Sequence, residues 1–186
     1  MDDLKEIINI TLLGETNVGK TCLMDLFSGG DSTGGCWNKG EIIYKENLYK
    51  FAIWDTNGNE RSRAVNKYYF KNANIILIVY SIDIKSSFNE VDFWINFVKE
   101  NHEKNEYIIA LIANKNDLYE NQVVSKKEGE EIAKKYGISF LLTSAETNGK
   151  CFKDFVNKLI IKYINKDFLP LREVKIFKEL DKYIDY

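Results

Sequence analysis

Histidine is nearly absent from this chain: His102 is the only one, so neither a histidine-based metal centre nor a histidine-dependent triad is expected. Cysteine is scarce as well. Cys22, Cys36 and Cys151 are odd in number and widely spaced, which fits neither a disulfide framework nor a zinc site and points to a reducing compartment. An excess of one charge is also missing. The 26 lysines and arginines against 28 acids leave a net charge of -2, and no nucleic acid or anionic membrane is expected as the main partner on electrostatic grounds. Nor does a long apolar run open the chain, since "MDDLKEIINITLLG" starts acidic and reaches Gly14 after a short apolar stretch. It reads as neither a signal peptide nor a spanning segment, so a cytoplasmic protein is expected. There is no internal repeat, low-complexity tract or linker. With 186 residues, 45% of them apolar and 29% charged, the chain has the size of one globular domain with a full core.

What the chain does have is alternation. The runs "EIINITLLG" (6–14), "FAIWD" (51–55), "ANIILIVYS" (73–81), "EYIIALIANK" (106–115) and "ISFLLTSA" (138–145) are apolar without polar alternation, as strands buried on both faces are. Between them, 86–102, 125–136 and 150–164 carry apolar residues at helical spacing, for example Phe152, Phe155, Val156, Leu159 and Ile160. This pattern predicts an α/β fold, a mostly parallel six-stranded sheet with helices on both faces. In "EIIYKENLYKFAIWD" two strand-like runs flank "KEN" and predict a hairpin that adds one antiparallel edge strand. The only proline, Pro170, is expected to end the helix that starts near Lys150. The main domain is therefore drawn over 1–168, with "LREVKIFKELDKYIDY" as an amphipathic helix in an extension over 169–186.

The strongest motif is "GETNVGKT", Gly14 to Thr21, which fills G-x-x-x-x-G-K-S/T after a strand and at a helix start. Average glycine usage of about 7% makes a chance match in a chain this long roughly a one per cent event, so the functional reading prevails. Glycines at both ends let the loop curl, so that backbone N–H groups and the helix start face phosphate oxygens. Lys20 would reach the β- and γ-phosphates and the Thr21 hydroxyl would ligate Mg²⁺. Gly14, Thr16, Asn17, Val18, Gly19, Lys20, Thr21 and Cys22 form the expected phosphate-binding set. A second run, "ANKND" (113–117), follows a buried strand and emerges where open α/β folds bind ligands. Asp117 can accept from both the ring N–H and the amino group of guanine, a donor pair that adenine lacks. Asn114 would tie this loop to the phosphate loop, and the stem of Lys115 would lie over the base.

With these motifs in order, the chain resembles the Ras superfamily of small GTPases, which carry a P-loop G domain, and within it the Rab family. The resemblance covers roughly residues 7–165 and rests on "GETNVGKTCL", "FAIWDTNGNER", "NKYYFKNANIILIVYSID", "SFNEVDFWI", "NKND" and "TSA". It implies that Ala145 offers a backbone N–H to the guanine oxygen, supported by Ser144, with Glu146 where the family commonly has lysine. It implies that Asp55 holds Mg²⁺ through a water and that the Gly58 N–H meets the γ-phosphate. It also implies GTP and GDP as ligands, Mg²⁺ as cofactor, protein effectors and regulators as partners, and a role in vesicle trafficking.

The departures from the family lie in its two switch segments. "SGGDSTGGCWNKG" is several residues shorter than the family's first switch, and Thr33, the only nearby threonine before the hairpin, is the candidate Mg²⁺ ligand there. Four glycines, Gly29, Gly30, Gly34 and Gly35, make that segment costly to order. The family's aromatic cover for the guanine is missing at its expected spacing; Trp37 either replaces it or packs on the sheet edge. In "WDTNGNERSR" the water-orienting glutamine is Asn59. It bears the same amide on an arm one methylene shorter, and an offset of about 1 Å at a catalytic group costs on the order of 10²-fold in rate. By the same resemblance, Asn57, Thr16 and Asn17 are expected to crowd the space above the γ-phosphate. Ser62 stands where an aromatic is usual, so the partner that reads this surface is not expected to be the family's ordinary one.

The expected function is a GTP-binding switch in which Lys20 and Mg²⁺ stabilise the charge that develops as water attacks the γ-phosphate, with Asn59 making turnover slow. The alternative is a pseudo-GTPase, a nucleotide-binding interaction module without significant turnover. A kinase or ATPase is disfavoured because Asp117 and Ala145 fit guanine. Rab-like proteins usually end in prenylated cysteines, and here none follows Cys151. Direct membrane attachment is accordingly not expected of these residues, and the protein would sit in the cytoplasm, reaching endomembranes through partners or through a further segment of a longer chain.

Overall fold

All seven residues of Ile75–Ser81 are buried, and so are all seven of Ile108–Asn114. Strands with no solvent-facing side must be covered on both faces, and that requirement organises the molecule. The computed structural model describes residues 7–27, 37–56, 70–103 and 106–166. Its strands are β1 (Ile8–Leu13), β2 (Trp37–Tyr44), β3 (Asn47–Asp55), β4 (Ile75–Ser81), β5 (Ile108–Asn114) and β6 (Ser139–Leu142). They form one sheet in the order β2-β3-β1-β4-β5-β6. Every pairing is parallel except that of β2 with β3. The mostly parallel six-stranded α/β sheet with one antiparallel edge strand is thus as expected.

Period two along the central strands divides their side chains between two cores. Ile75, Leu77 and Val79 face a layer that includes Leu23, Met24, Phe152 and Val156, whereas Ile76, Ile78 and Tyr80 face Val91, Trp94, Ile95 and Val98. Helices α1 (Lys20–Asp25) and α5 (Gly149–Ile164) supply the first layer, and α3 (Val91–Asn101) and α4 (Lys126–Tyr136) supply the second. Helix α1 has only six residues, far below the roughly 12–15 at which an isolated helix becomes even marginally stable. Burial of Leu23 and Met24 holds it, each contributing about 1.5–3 kcal/mol. The phosphate loop is therefore braced from the core.

Several boundaries differ from expectation for identifiable reasons. The helix expected over 86–102 is divided into α2 (Lys85–Asn89) and α3, with Glu90 between them. Ser87 causes the early turn to fold locally, because its hydroxyl donates to Ile84 O and accepts from Ser81 N. The hairpin turns on two residues, not three: Lys45 and Glu46 have φ of 48° and 63°, while Asn47 already pairs with Tyr44. Positive φ at both central residues is the demand of a primed two-residue turn, here met without the usual Asn-Gly. Helix α5 ends at Ile164, before Pro170, with Lys166 at φ 55°. Pro170 and the extension over 169–186 lie outside the described residues.

Candidate functional site

The phosphate loop leaves β1 after Leu13 and enters α1 at Lys20. Its two end glycines are required by space as well as by backbone angle. A Cβ on Gly14 (φ 138°) would fall 2.1 Å from the Val79 carbonyl oxygen, and one on Gly19 (φ 91°) would fall 2.4 Å from Asn114 Nδ2. Asn17 takes φ 65°, a conformation asparagine tolerates better than most side chains. Thr16, Asn17 and Cys22 are exposed, whereas Val18 is buried. Lys20 is buried, and its Nζ donates to Gly14 O at 2.9 Å and Glu15 O at 2.7 Å. Burial pulls its pKa down, opposed by the charges of Asp55 and Glu15. A desolvated ammonium held by two loop carbonyls beside a helix start is arranged to meet anionic oxygen.

Beside it, the Thr21 hydroxyl donates to Asp55 Oδ2. Asp55 is the last residue of β3, and its neighbour Thr56 donates through Oγ1 to Leu12 O at 2.8 Å, joining the ends of β3 and β1. A hydroxyl and a carboxylate in contact are hard oxygen donors of the kind Mg²⁺ takes, and that ion relies on few protein ligands plus substrate phosphate and water. The residues present therefore fit the ion. Among the described residues no group of three or more His, Cys, Asp or Glu gathers to form a denser metal site. Thr33, Gly58 and Asn59, expected to complete the phosphate end, lie outside the described residues.

The base end is set by strand register. Ser81 pairs with Asn114, so β4 and β5 finish together beside the phosphate loop. Asn114, almost fully buried, donates from Nδ2 to Val18 O at 2.9 Å and accepts at Oδ1 from Ala145 N at 3.2 Å. One side chain thus links three loops. Lys115 adopts a left-handed φ of 64°, after which Asn116–Asn121 forms a 3-10 turn carrying Asp117. Ser144, also buried, donates from Oγ to Asp117 Oδ1 at 2.5 Å and accepts at Oγ from Glu146 N and Thr147 N, both at 3.1 Å. Its support goes to the Asp117 carboxylate, while Asn114 holds Ala145.

The structure consequently brings together Gly14, Val18, Gly19, Lys20, Thr21, Asp55, Asn114, Asp117, Ser144 and Ala145 at one edge of the sheet. Trp37 is not among them. Its ring stacks on Trp54 with centroids 5.6 Å apart, across the β2–β3 pairing. The sheet-edge alternative is the one observed. Thr56 went unpredicted, and only its position immediately after Asp55 could have marked it.

A model of the Ras family matches residues 9–166 of the chain. Ras-related protein Rab-26 of Mus musculus is 34% identical over 146 residues, covering 74% of this chain and 56% of that protein. Ras-related protein Rab-37 of Homo sapiens is 35% identical over 146 residues, covering 74% and 65%. Ras-related protein Rab-8B of Dictyostelium discoideum is 34% identical over 157 residues, covering 81% and 77%. The chain spans between about half and two thirds of the first two relatives. With the phosphate loop, the Thr21–Asp55 pair and the Asn114 bridge all in place within the matched span, the chain belongs to the Ras family and is a Rab-like small GTPase.

Proposed function

We propose that this protein is a guanine-nucleotide switch that binds GTP and GDP with Mg²⁺ and hydrolyses GTP slowly. The observation that carries the binding half is the Asn114 bridge, which fixes the phosphate loop and the loop of Ala145 to the same buried side chain. In this reading the loop N–H groups and Lys20 bind the β- and γ-phosphates, and Asp117, oriented by Ser144, selects guanine. Thr21 and Asp55 hold the metal side of the site, and by family resemblance the Ala145 N–H, which donates to Asn114 Oδ1 at 3.2 Å, is shared with or turned to the guanine oxygen once base is bound. By family resemblance Gly58 joins the phosphate end, while Thr33 is the candidate metal ligand of the first switch and Glu146 stands beside the base where the family commonly has lysine. When bound, Mg²⁺ supplies charge neutralisation at the phosphate oxygens.

The slow half of the proposal rests on the sequence. Asn59 keeps the amide that orients water but withdraws it by one methylene, and effects of about 10²-fold follow from such displacements. Single-turnover hydrolysis of bound GTP tests it. Asn59→Gln is expected to raise the rate by roughly ten- to a hundredfold, and an unchanged rate would show that Asn59 is not the defect. Vesicle trafficking, with protein effectors and regulators on endomembranes, is the role we infer from kinship with the Rab branch. A pseudo-GTPase remains the second reading, favoured by the same Asn59; it predicts identical partner binding in the GDP and GTP states.

A further inference from the structure

The register that pairs Ser81 with Asn114 has a consequence one residue further along. Ile82 N donates to Asn114 O at 3.2 Å, so the chain leaving β4 stays against the chain leaving β5. Asp83 and Lys115 emerge side by side, and Lys115 Nζ lies 3.9 Å from Asp83 Oδ1. The carboxylate is itself fixed, because Oδ1 accepts from the hydroxyl of fully buried Ser81. The pair is largely enclosed, with side-chain exposures of 27% and 21%, unlike the Lys127–Glu131 pair at 84% and 65%. Ion pairs in the open contribute almost nothing, whereas an enclosed one on an anchored partner can hold a geometry.

The geometry points to Asp83 as a positioning residue for the base: anchored by Ser81, it holds the Lys115 ammonium so that the lysine stem forms a preset apolar ledge for the guanine ring. This rests on the guanine-nucleotide reading above. A lysine stem free to sample its rotamers would have to be ordered when base arrives, and the loss is substantial for a four-carbon chain. Lys115 already occupies a left-handed backbone conformation, its carbonyl accepting from Leu118 N at 2.9 Å while Asn116 N donates to Thr143 O at 3.0 Å. The backbone at 115 is thus settled by its own turn, and Asp83 settles the side chain. Asp83 acts through Lys115 and touches neither phosphate ligand nor Asp117 in any described contact.

The test is a cycle of GDP affinities for the full chain: wild type, Asp83→Asn, Lys115→Met and the double variant, with inosine diphosphate as a second probe. Asp83→Asn is expected to weaken GDP by roughly five- to tenfold, the scale of one enclosed ion pair that pre-orders a lysine. It should do nothing further once Lys115→Met has removed the ammonium. Its effect should be equal for inosine diphosphate, which lacks the amino group that Asp117 reads, so the ratio of the two affinities stays constant. The unfolding midpoint without nucleotide should not move. Unchanged GDP affinity, an additive effect in the double variant, or a changed ratio would each overturn the role of Asp83. Wild-type protein that binds no GDP would instead overturn the guanine-nucleotide reading, and this inference with it.

Discussion

Replacing Asn114 by alanine removes a side chain that is 1% exposed and has partners on two loops. The Val18 carbonyl loses a 2.9 Å donor and the Ala145 N–H loses a 3.2 Å acceptor, in an enclosed place where water cannot readily replace them. A buried polar group left unsatisfied costs about 1–3 kcal/mol, so the two together amount to about 2–6 kcal/mol. That loss divides between fold stability and ligand affinity, and 1.4 kcal/mol of it in binding is tenfold in Kd. We expect Asn114→Ala to weaken GDP by at least about tenfold and to lower the chemical denaturation midpoint of the nucleotide-free protein. Asn114→Asp should do no better, since it loses the donor and sets a carboxylate oxygen against the Val18 carbonyl. Titration calorimetry and urea unfolding measure both halves. Affinity within twofold of wild type and an unmoved midpoint would refute the bridge.

Other regions give independent expectations. The Tyr80 hydroxyl is fully buried, makes no hydrogen bond among the described residues, and sits where a Cβ on Gly129 would meet it at 2.4 Å. Tyr80→Phe should therefore stabilise the fold by about 1 kcal/mol, read as a higher urea midpoint. Burial, with Glu128 and Glu130 adding, raises the Tyr80 pKa above its ordinary 10.0. The unfolded chain alone then ionises at alkaline pH, so stability falls as pH rises past about 10, and Tyr80→Phe should flatten that fall. The Glu128 carboxylate is pulled down from 4.5 to about 2, first by the Lys85 hydrogen bond and then by the N–H and hydroxyl of Ser125. Its contribution is present above pH 4.5 and is lost as pH falls toward 2. Glu128→Gln should reduce the acid-side slope of a pH-dependent unfolding series, and an identical slope would argue against the pairing.

Much of this architecture could be read from particular residues. "IILIVYS" and "IIALIAN" carry no polar alternation, and that alone demands helices on both faces of the sheet. The phosphate loop was legible because few backbones other than Gly14 and Gly19 could pass so close to Val79 O and Asn114. The break at Glu90 was not, because Ser87 acts through hydrogen bonds to residues ahead of it and leaves the helical spacing intact. The two-residue turn was hidden because lysine and glutamate seldom take positive φ, and pairing along the whole of β2 and β3 overrides their preference. Trp37 was ambiguous until strand register placed it opposite Trp54. The Asp83–Lys115 contact depends on two strands ending level, which spacing along one chain does not express.

The most direct measurement of the central claim is the nucleotide released when freshly purified protein is denatured and its supernatant resolved by ion-exchange chromatography. A guanine nucleotide in near-stoichiometric amount, dominated by GTP, is what a slow guanine-nucleotide switch predicts. Mostly GDP would contradict slow turnover, and adenine nucleotide or none would contradict the reading of Asp117 as a guanine selector.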